Sequence, residues 1–377
     1  MKGKRTGSLV AFSIVGMLIA ALFVSLIGCA QSAGNTGSKS TTGSGGASSS
    51  GQSANQSSSQ AKPLKKVTAA ISIGDPTFFY PLVARAKGYF KEEGLDVEVV
   101  NSQGSGSKMA EMLASKQIQF ANAGIENAVK LNTQGKPTVV LFSYMNRLDY
   151  ANIVVNKELY DSGQIKTLKD LAGKKIGVTG LGGGLHTAGE FIVSRVGIDK
   201  QVEFIPLGDS SGVLGGLKAK RVEAIVANES WRQKTEAEGF GKTIFNPSDD
   251  ATWNEVFGGN IPGIALWALK DYVQDNKDTV EAYVRATAKA MKYLQTADPG
   301  EVFEAVKNES DEIKVSGKDQ FVSVFKELRK KVYNFDGLLD KETYDRGMKV
   351  SLGRTLKEVV PYEQAVDMSI LKKIAGK

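Results

Sequence analysis

Few side chains in this sequence can do covalent or metal chemistry. The 377 residues include one histidine, His186, and one cysteine, Cys29. That excludes an intrachain disulfide and any zinc site of three or four Cys/His ligands, and a serine triad would have to use His186. No Asp-rich loop of EF-hand type is present, so neither a metal nor a cofactor is expected. What remains is recognition chemistry. Gly182-Gly183-Gly184 precede a helix that begins near His186, and the free N–H groups and dipole of a helix start favour an anion or another acceptor. Gly183, Gly184, His186 and Thr187 are therefore candidate ligand-binding residues, against the plainer reading of a tight turn and a packed histidine. Gly104-Ser105-Gly106-Ser107 forms a second such turn. Its Ser105 and Ser107 hydroxyls either meet ligand oxygens or cap the next helix. In Asp75-Pro76-Thr77-Phe78-Phe79-Tyr80, three adjacent aromatics cannot all face one core. This makes Thr77, Phe78 and Phe79 candidates for a cleft wall. Glu126, Asn228, Glu229 and Trp231 follow strand ends. Two carboxylates there suit a cation or an amine, which opposes the anion reading of the glycines.

These residues must be held by a regular scaffold. Hydrophobic residues make up 41% and charged residues 24%, a globular composition. The net charge is +7, and three of those charges, Lys2, Lys4 and Arg5, lie in the first 28 residues. The remainder is too small and too diffuse for a nucleic-acid binder. From residue 64 onward, strand and helix patterns alternate. Val67–Ile73, Asp96–Val100 and Ile118–Ala123 read as strands. Between them, Pro81–Glu93 and Gly104–Lys116 read as helices. This βαβαβ order predicts a parallel, doubly wound sheet. Residues 64–377 are too many for one small core and suit two α/β lobes.

An internal repeat supports two lobes built alike. Leu113-Ala114-Ser115-Lys116-Gln117-Ile118-Gln119-Phe120 recurs 104 positions later as Leu217-Lys218-Ala219-Lys220-Arg221-Val222-Glu223-Ala224. The same offset lays Gly104–Ser107 over Gly208–Ser211, and Gly124-Ile125-Glu126 over Asn228-Glu229-Ser230. Turns at the carboxyl ends of two such sheets would face a shared ligand. Tyr150–Asn156 and Ile261–Ala268 read as strands that serve as the crossings between lobes. The expected domains are 64–155 plus 258–377 for the first lobe and 156–257 for the second. The tail reads as helical over 277–295, 301–307, 318–332, 341–349 and 363–374.

The N-terminus reads as a targeting segment. The basic start is followed by an uncharged run from Leu9 to Ile27, and Leu26-Ile27-Gly28-Cys29 ends it. These four residues resemble a bacterial lipobox, with residues 1–28 as signal peptide and Cys29 as the acylated residue. Residues 30–63 hold 11 Ser and 6 Gly, too polar for a core and suited to a tether with a reach of about 30–35 Å. Together they place the chain on the extracytoplasmic face of a cell membrane, anchored by lipid.

Three stretches resemble the ABC-importer solute-binding lipoproteins of the nitrate/sulfonate/taurine (thiamine-precursor-like) type. The first is Pro81–Val97, with Ala86-Lys87-Gly88-Tyr89-Phe90-Lys91-Glu92-Glu93-Gly94-Leu95-Asp96-Val97 at its centre. The second is Leu168-Lys169-Asp170-Leu171-Ala172-Gly173-Lys174-Lys175-Ile176-Gly177-Val178. The third is Leu217–Asn228, where Lys220 replaces the family's usual Gly and Glu223 its usual Asp. The resemblance runs from about residue 66 to about residue 300. It implies a two-lobed periplasmic-binding-protein-like fold of type II, each lobe a doubly wound βαβ sheet, hinged by two crossing strands. It also implies cleft roles for the Asp75–Tyr80 loop and the Gly182–Gly184 turn. In function it implies a monomer that captures a small solute and delivers it to an ABC permease and its ATPase. Glu229-Ser230-Trp231 stands where many members have Glu-Pro, and the glycine turn lacks their usual Ser or Thr. The solute class stays open between anion, sulfonate, aromatic acid, pyrimidine and amine.

Enzyme readings fit less well. A dinucleotide fingerprint at Gly180–Leu185 fails at Leu185, where Gly or Ala belongs, and Ser107-Lys108-Met109 lacks the Gly-Lys-Ser/Thr of a Walker loop. An iron-using pyrimidine-precursor synthase shares the fold but needs a His-rich site, which one histidine cannot supply. The sequence therefore reads as a binding protein and not a catalyst. A membrane-tethered sensing ectodomain using the same cleft is the alternative.

Overall fold

The computed structural model describes residues 63–71, 79–102, 106–309, 313 and 317–376. Cys29, the signal peptide and the tether lie outside the described residues. Apolar runs in the first third of the folded chain form β1 (Lys65–Ile71), β2 (Leu95–Asn101), β3 (Phe120–Gly124) and β4 (Thr138–Ser143). With β10 (Ile264–Leu269) they make one sheet in the order β2-β1-β3-β10-β4. β1 runs parallel to β2 and β3, whereas β10 runs antiparallel to both β3 and β4. β3 and β10 are buried along their whole length, as central strands covered on both faces must be, and so is the edge strand β4. The second sheet repeats the plan with β5 (Asn152–Asn156), β6 (Lys175–Val178), β7 (Glu203–Pro206), β8 (Ala224–Ala227) and β9 (Gly241–Phe245), in the order β7-β6-β8-β5-β9. There β5 is the antiparallel strand, paired with β8 and β9.

The strands expected to act as crossings are thus built into the sheets. Asn152–Asn156 lies inside the second sheet and Ile264–Leu269 inside the first, each as its antiparallel member. The chain passes between sheets just before each of them, through residues 144–151 and 246–263. An antiparallel fourth strand is what results when a chain enters a sheet from the far side after leaving its twin.

The repeat extends to individual bonds. The helices α3 (Gly106–Ala114) and α7 (Ser210–Lys218) begin 104 residues apart, as do β3 and β8, and α4 (Ile125–Thr133) and α8 (Glu229–Ala237). Gln119 Oε1 accepts the Thr68 N–H at 2.8 Å, and Glu223 Oε2 accepts the Lys175 N–H at 2.8 Å. Among the described residues, Lys116 and Lys220 alone combine a side chain with positive φ, at 61° and 58°. The position where the resembled family keeps Gly is therefore a left-handed turn in both halves.

Helices cover both faces of the sheets. The helix expected over Pro81–Glu93 is broken at Gly88 into α1 (Tyr80–Ala86) and α2 (Tyr89–Glu92). α11 (Lys277–Thr296) buries Val280, Tyr283, Val284, Thr287 and Met291 against the first sheet, where Phe120 stacks on Tyr283. The Lys318–Lys331 helix buries Phe321, Val324, Phe325 and Leu328, the i, i+3, i+4, i+7 stripe of a core-facing helix.

Candidate functional site

The walls of one cavity come from both sheets, both crossings and the tail. The first lobe contributes Ile125 and Glu126, from the start of α4 just beyond β3. The second contributes Gly184, Thr187 and Ala188, from the first turns of α6 (Gly184–Arg195) beyond β6. Leu148 and Tyr150 of the first crossing and Ile261 and Pro262 of the second line its side. Gly347, Val350, Ser351 and Thr355 close it from the tail. The space open to the centre of a water molecule is about 20 Å³, room for about one water. Anything larger needs the walls to part.

Glu126 is the cavity's acid. Its carboxylate folds back over the start of α4, so closely that a Cβ on Gly124 would lie 2.2 Å from Oε1. Asn127 Nδ2 donates to Glu126 Oε1 at 3.1 Å and to the Gly124 carbonyl at 3.2 Å. Among the described residues no cation pairs with this carboxylate. Burial pushes its pKa above the ordinary value, against the lowering effect of its own backbone N–H and of Asn127. Tyr150 lies close by. Burial holds its phenol well above the usual range, and the carboxylates of Glu126 and Asp149 add to the effect. Its ring also sits against Gly184, where an added Cβ would come within 3.4 Å of Cε2.

The opposite wall offers donors. α6 has no acidic residue in its first turn and Gly183 as its N-cap, so its leading N–H groups lack side-chain acceptors from that turn. Thr187 is 5% exposed, and its Oγ1 is buried without a hydrogen-bond partner among the described residues. Thr355 Oγ1, on the tail side, is in the same condition. The tail is fastened here by Arg354, whose Nη2 donates to Ser194 Oγ of α6 at 3.3 Å.

Of the sequence candidates, then, Glu126, Gly184 and Thr187 share one cavity, with Gly183 beside them on the N-cap. The others have different work. Phe79 is 1% exposed and packs against Phe321 and Phe325 at 5.0 and 5.4 Å, so it belongs to the first core and not to a cleft wall. His186 Nδ1 accepts the Gly182 N–H at 3.1 Å, and its ring meets Phe204 edge-on at 4.9 Å. It fixes the glycine turn and does not line the cavity. Asn228 Oδ1 accepts the Trp231 N–H at 2.8 Å as the N-cap of α8, and Trp231 packs against the Val154 and Leu217 cluster. Glu229 is buried and paired with Arg232. Ser107 is exposed in the first turn of α3. Thr77, Phe78 and Ser105 lie outside the described residues. Sequence reasoning missed Tyr150, Pro262, Ser351 and Thr355. Tyr150 opens a stretch read only as a strand, and nothing in the tail's spacing separates a residue that faces the cleft from one that packs.

Residues 75–302 match the family model described as NMT1/THI5 like. YtlA of Bacillus subtilis, provisionally described as a binding protein, is 25% identical over 324 residues, which cover 84% of this chain and 92% of YtlA. The 4-amino-5-hydroxymethyl-2-methylpyrimidine phosphate synthase THI11 of Saccharomyces cerevisiae is 22% identical over 241 residues, 62% of this chain and 68% of that enzyme. Among solved structures, the periplasmic sulfonate-binding protein SsuA from Methylobacillus flagellatus KT superposes with a TM-score of 0.62 at 19% identity. The match covers 84% of this chain and 96% of SsuA, and shows the two chains to share the periplasmic-binding-protein fold.

Proposed function

The chain belongs to the NMT1/THI5-like family, and on that premise we propose that it is the extracytoplasmic solute-binding component of an ABC importer. The observation that carries this reading is the composition of the cavity. Its walls come from the carboxyl ends of both sheets and from both crossings, so a molecule held there touches every part that a hinge motion would separate. A solute entering between parted lobes would then stabilise the closed form by bridging Glu126 to α6. The resemblance to SsuA and YtlA supports the same reading. The similarity to THI11 raises a synthase, but among the described residues the cavity lining offers a single carboxylate and neither histidine nor cysteine. The protein would act as a monomer and present its closed form to a permease driven by an ATPase.

The test is a thermal-shift panel on the full chain in mild detergent, dialysed free of small molecules. It would span nitrate, alkanesulfonates, taurine, aromatic carboxylates, pyrimidines and amines. A solute at a hundred times its Kd adds about 2.7 kcal/mol, a rise in Tm of several degrees. If every class leaves the midpoint unmoved, the reading loses its support.

Anchoring belongs to the same proposal. With Cys29 lipidated, the chain is held at the membrane by acyl chains and by the residue 30–63 tether. Cys29→Ser should abolish palmitate labelling of the chain. A variant that still takes up label would remove the lipid anchor from this account.

A further inference from the structure

Taken by sign, the cavity is bipolar. Glu126, on the first-lobe wall, is an acceptor with one neutral side-chain partner, the Asn127 amide. On the second-lobe wall stand Gly184, whose N–H opens α6 with no side-chain acceptor from that turn, and the buried, unpartnered hydroxyl of Thr187. Among the described residues, no Lys, Arg or His lines the space. A bare oxyanion would satisfy the α6 side and at the same time face a carboxylate that has no counter-cation. A solute with an N–H donor at one end and an acceptor at the other satisfies both walls, giving Glu126 a donor and the Thr187 hydroxyl a partner.

We infer, resting on the solute-binding reading above, that the natural solute is an amino-bearing molecule whose N–H or ammonium group meets Glu126 while an acceptor meets Thr187 and the start of α6. This makes Glu126 the residue that sets specificity. Its position also carries a cost. A carboxyl that holds its proton more tightly folded than unfolded removes stability as pH rises past the ordinary carboxylate value. Without solute, Glu126→Gln should therefore melt no lower than the parent at neutral pH, and the amide oxygen it introduces can still accept from Asn127. A residue kept only as a helix cap would show the opposite change.

The test is titration calorimetry on the full chain with probes in matched pairs that differ in the N–H group: taurine against ethanesulfonate, 4-aminopyrimidine against 4-methylpyrimidine, and β-alanine against butyrate. In each pair that binds, the amino member should be tighter by about tenfold or more, because a site built to accept an N–H rejects the analogue lacking it. Glu126→Gln should erase that preference, by weakening the amino member and by relieving the repulsion of the anionic member that lacks the amine. Ethanesulfonate binding as tightly as taurine would overturn the inference and leave solute capture standing. The same holds for a preference that survives Glu126→Gln. If neither the pairs nor any compound of the wider panel binds, solute capture itself fails, and the inference with it. Should the variant not fold, the matched pairs on the parent chain decide.

Discussion

Arg232→Ala is expected to cost about 3 kcal/mol of folding stability, the lower end of what breaking a buried ion pair costs. Glu229 is 2% exposed at the start of α8, and Arg232 Nε donates to its Oε2 at 2.8 Å. Gln233 Nε2 adds a bond to Oε1 at 2.7 Å. The guanidinium also reaches Glu236 Oε2 at 2.7 Å, and Glu236 Oε1 accepts from the Thr243 hydroxyl at 2.7 Å, so the network ties α8 to β9. Burial works against the charge on Arg232, yet Glu229 and Glu236 hold its pKa above the ordinary value. Without the guanidinium, Glu229 keeps only Gln233 and the helix-start dipole, which is why the loss falls at the lower end. Replacing both partners, with Glu229→Gln and Arg232→Met, should recover most of the loss, because no charge is then left buried alone. Urea unfolding of the parent, the singles and the double variant closes the cycle. A double variant as unstable as Arg232→Ala would show that shape, and not charge, holds α8.

The same pair shows what the sequence disclosed and what it concealed. Glu126 and Glu229 both follow strand ends and look alike in the chain, but the 104-residue repeat does not align them. It lays Ile125 over Glu229 and Glu126 over Ser230. Ile125 and Glu229 are each 2% exposed, so the slot that faces the core in the first half holds a carboxylate in the second. Arg232, three residues on, is its compensation, an i, i+3 spacing visible in the chain. Gly124 likewise aligns with Asn228, and both are N-caps. Carried to single residues, the repeat would have assigned Asn228 to capping and Glu229 to the interior, leaving Glu126 as the carboxylate available to a solute.

Where sequence periodicity is strong, the fold was readable. The α/β alternation and the helix over 277–295 both depend on local pattern. The cavity's other half does not. Gly347 lies in a helix recognisable only as amphipathic, yet an added Cβ there would come within 2.5 Å of Pro262 Cδ. That close approach between the tail and the second crossing depends on a tertiary packing with no local signature. It is also what brings Ser351 and Thr355 to the site. Phe79 misled for the converse reason. Three adjacent aromatics do exceed one core's needs in an isolated loop, but the Lys318–Lys331 helix supplies Phe321 and Phe325 from more than 240 residues away.

Arg147→Ala is expected to cost about 2–4 kcal/mol, from the loss of two charge-assisted hydrogen bonds and the packing of the stem. Arg147 stands in the first crossing with its side chain 8% exposed. Its Nη1 donates to the Pro247 carbonyl at 2.6 Å and its Nη2 to Asp250 Oδ1 at 2.6 Å, both in the second crossing or the helix that starts there. Its guanidinium lies 5.4 Å from the Trp253 ring centre. One side chain thus joins the two segments through which the chain passes between the sheets, the hinge of the proposed solute capture. Arg147→Lys should recover only part of the loss, since an ammonium cannot hold both acceptors in a planar fork. Lys331 and then Arg147 hold the Asp250 carboxyl below the ordinary carboxylate range. The stability from this contact is therefore fully present above the ordinary carboxylate value and is lost as pH falls through the lowered one. Urea midpoints of parent and Arg147→Ala should differ most at neutral pH and draw closer in acid, keeping the part of the gap that comes from the Pro247 carbonyl and the Trp253 ring. A gap that stays constant down to the lowest pH at which both fold would assign the loss to the Pro247 bond and the packing against Trp253, and leave nothing to the ion pair with Asp250.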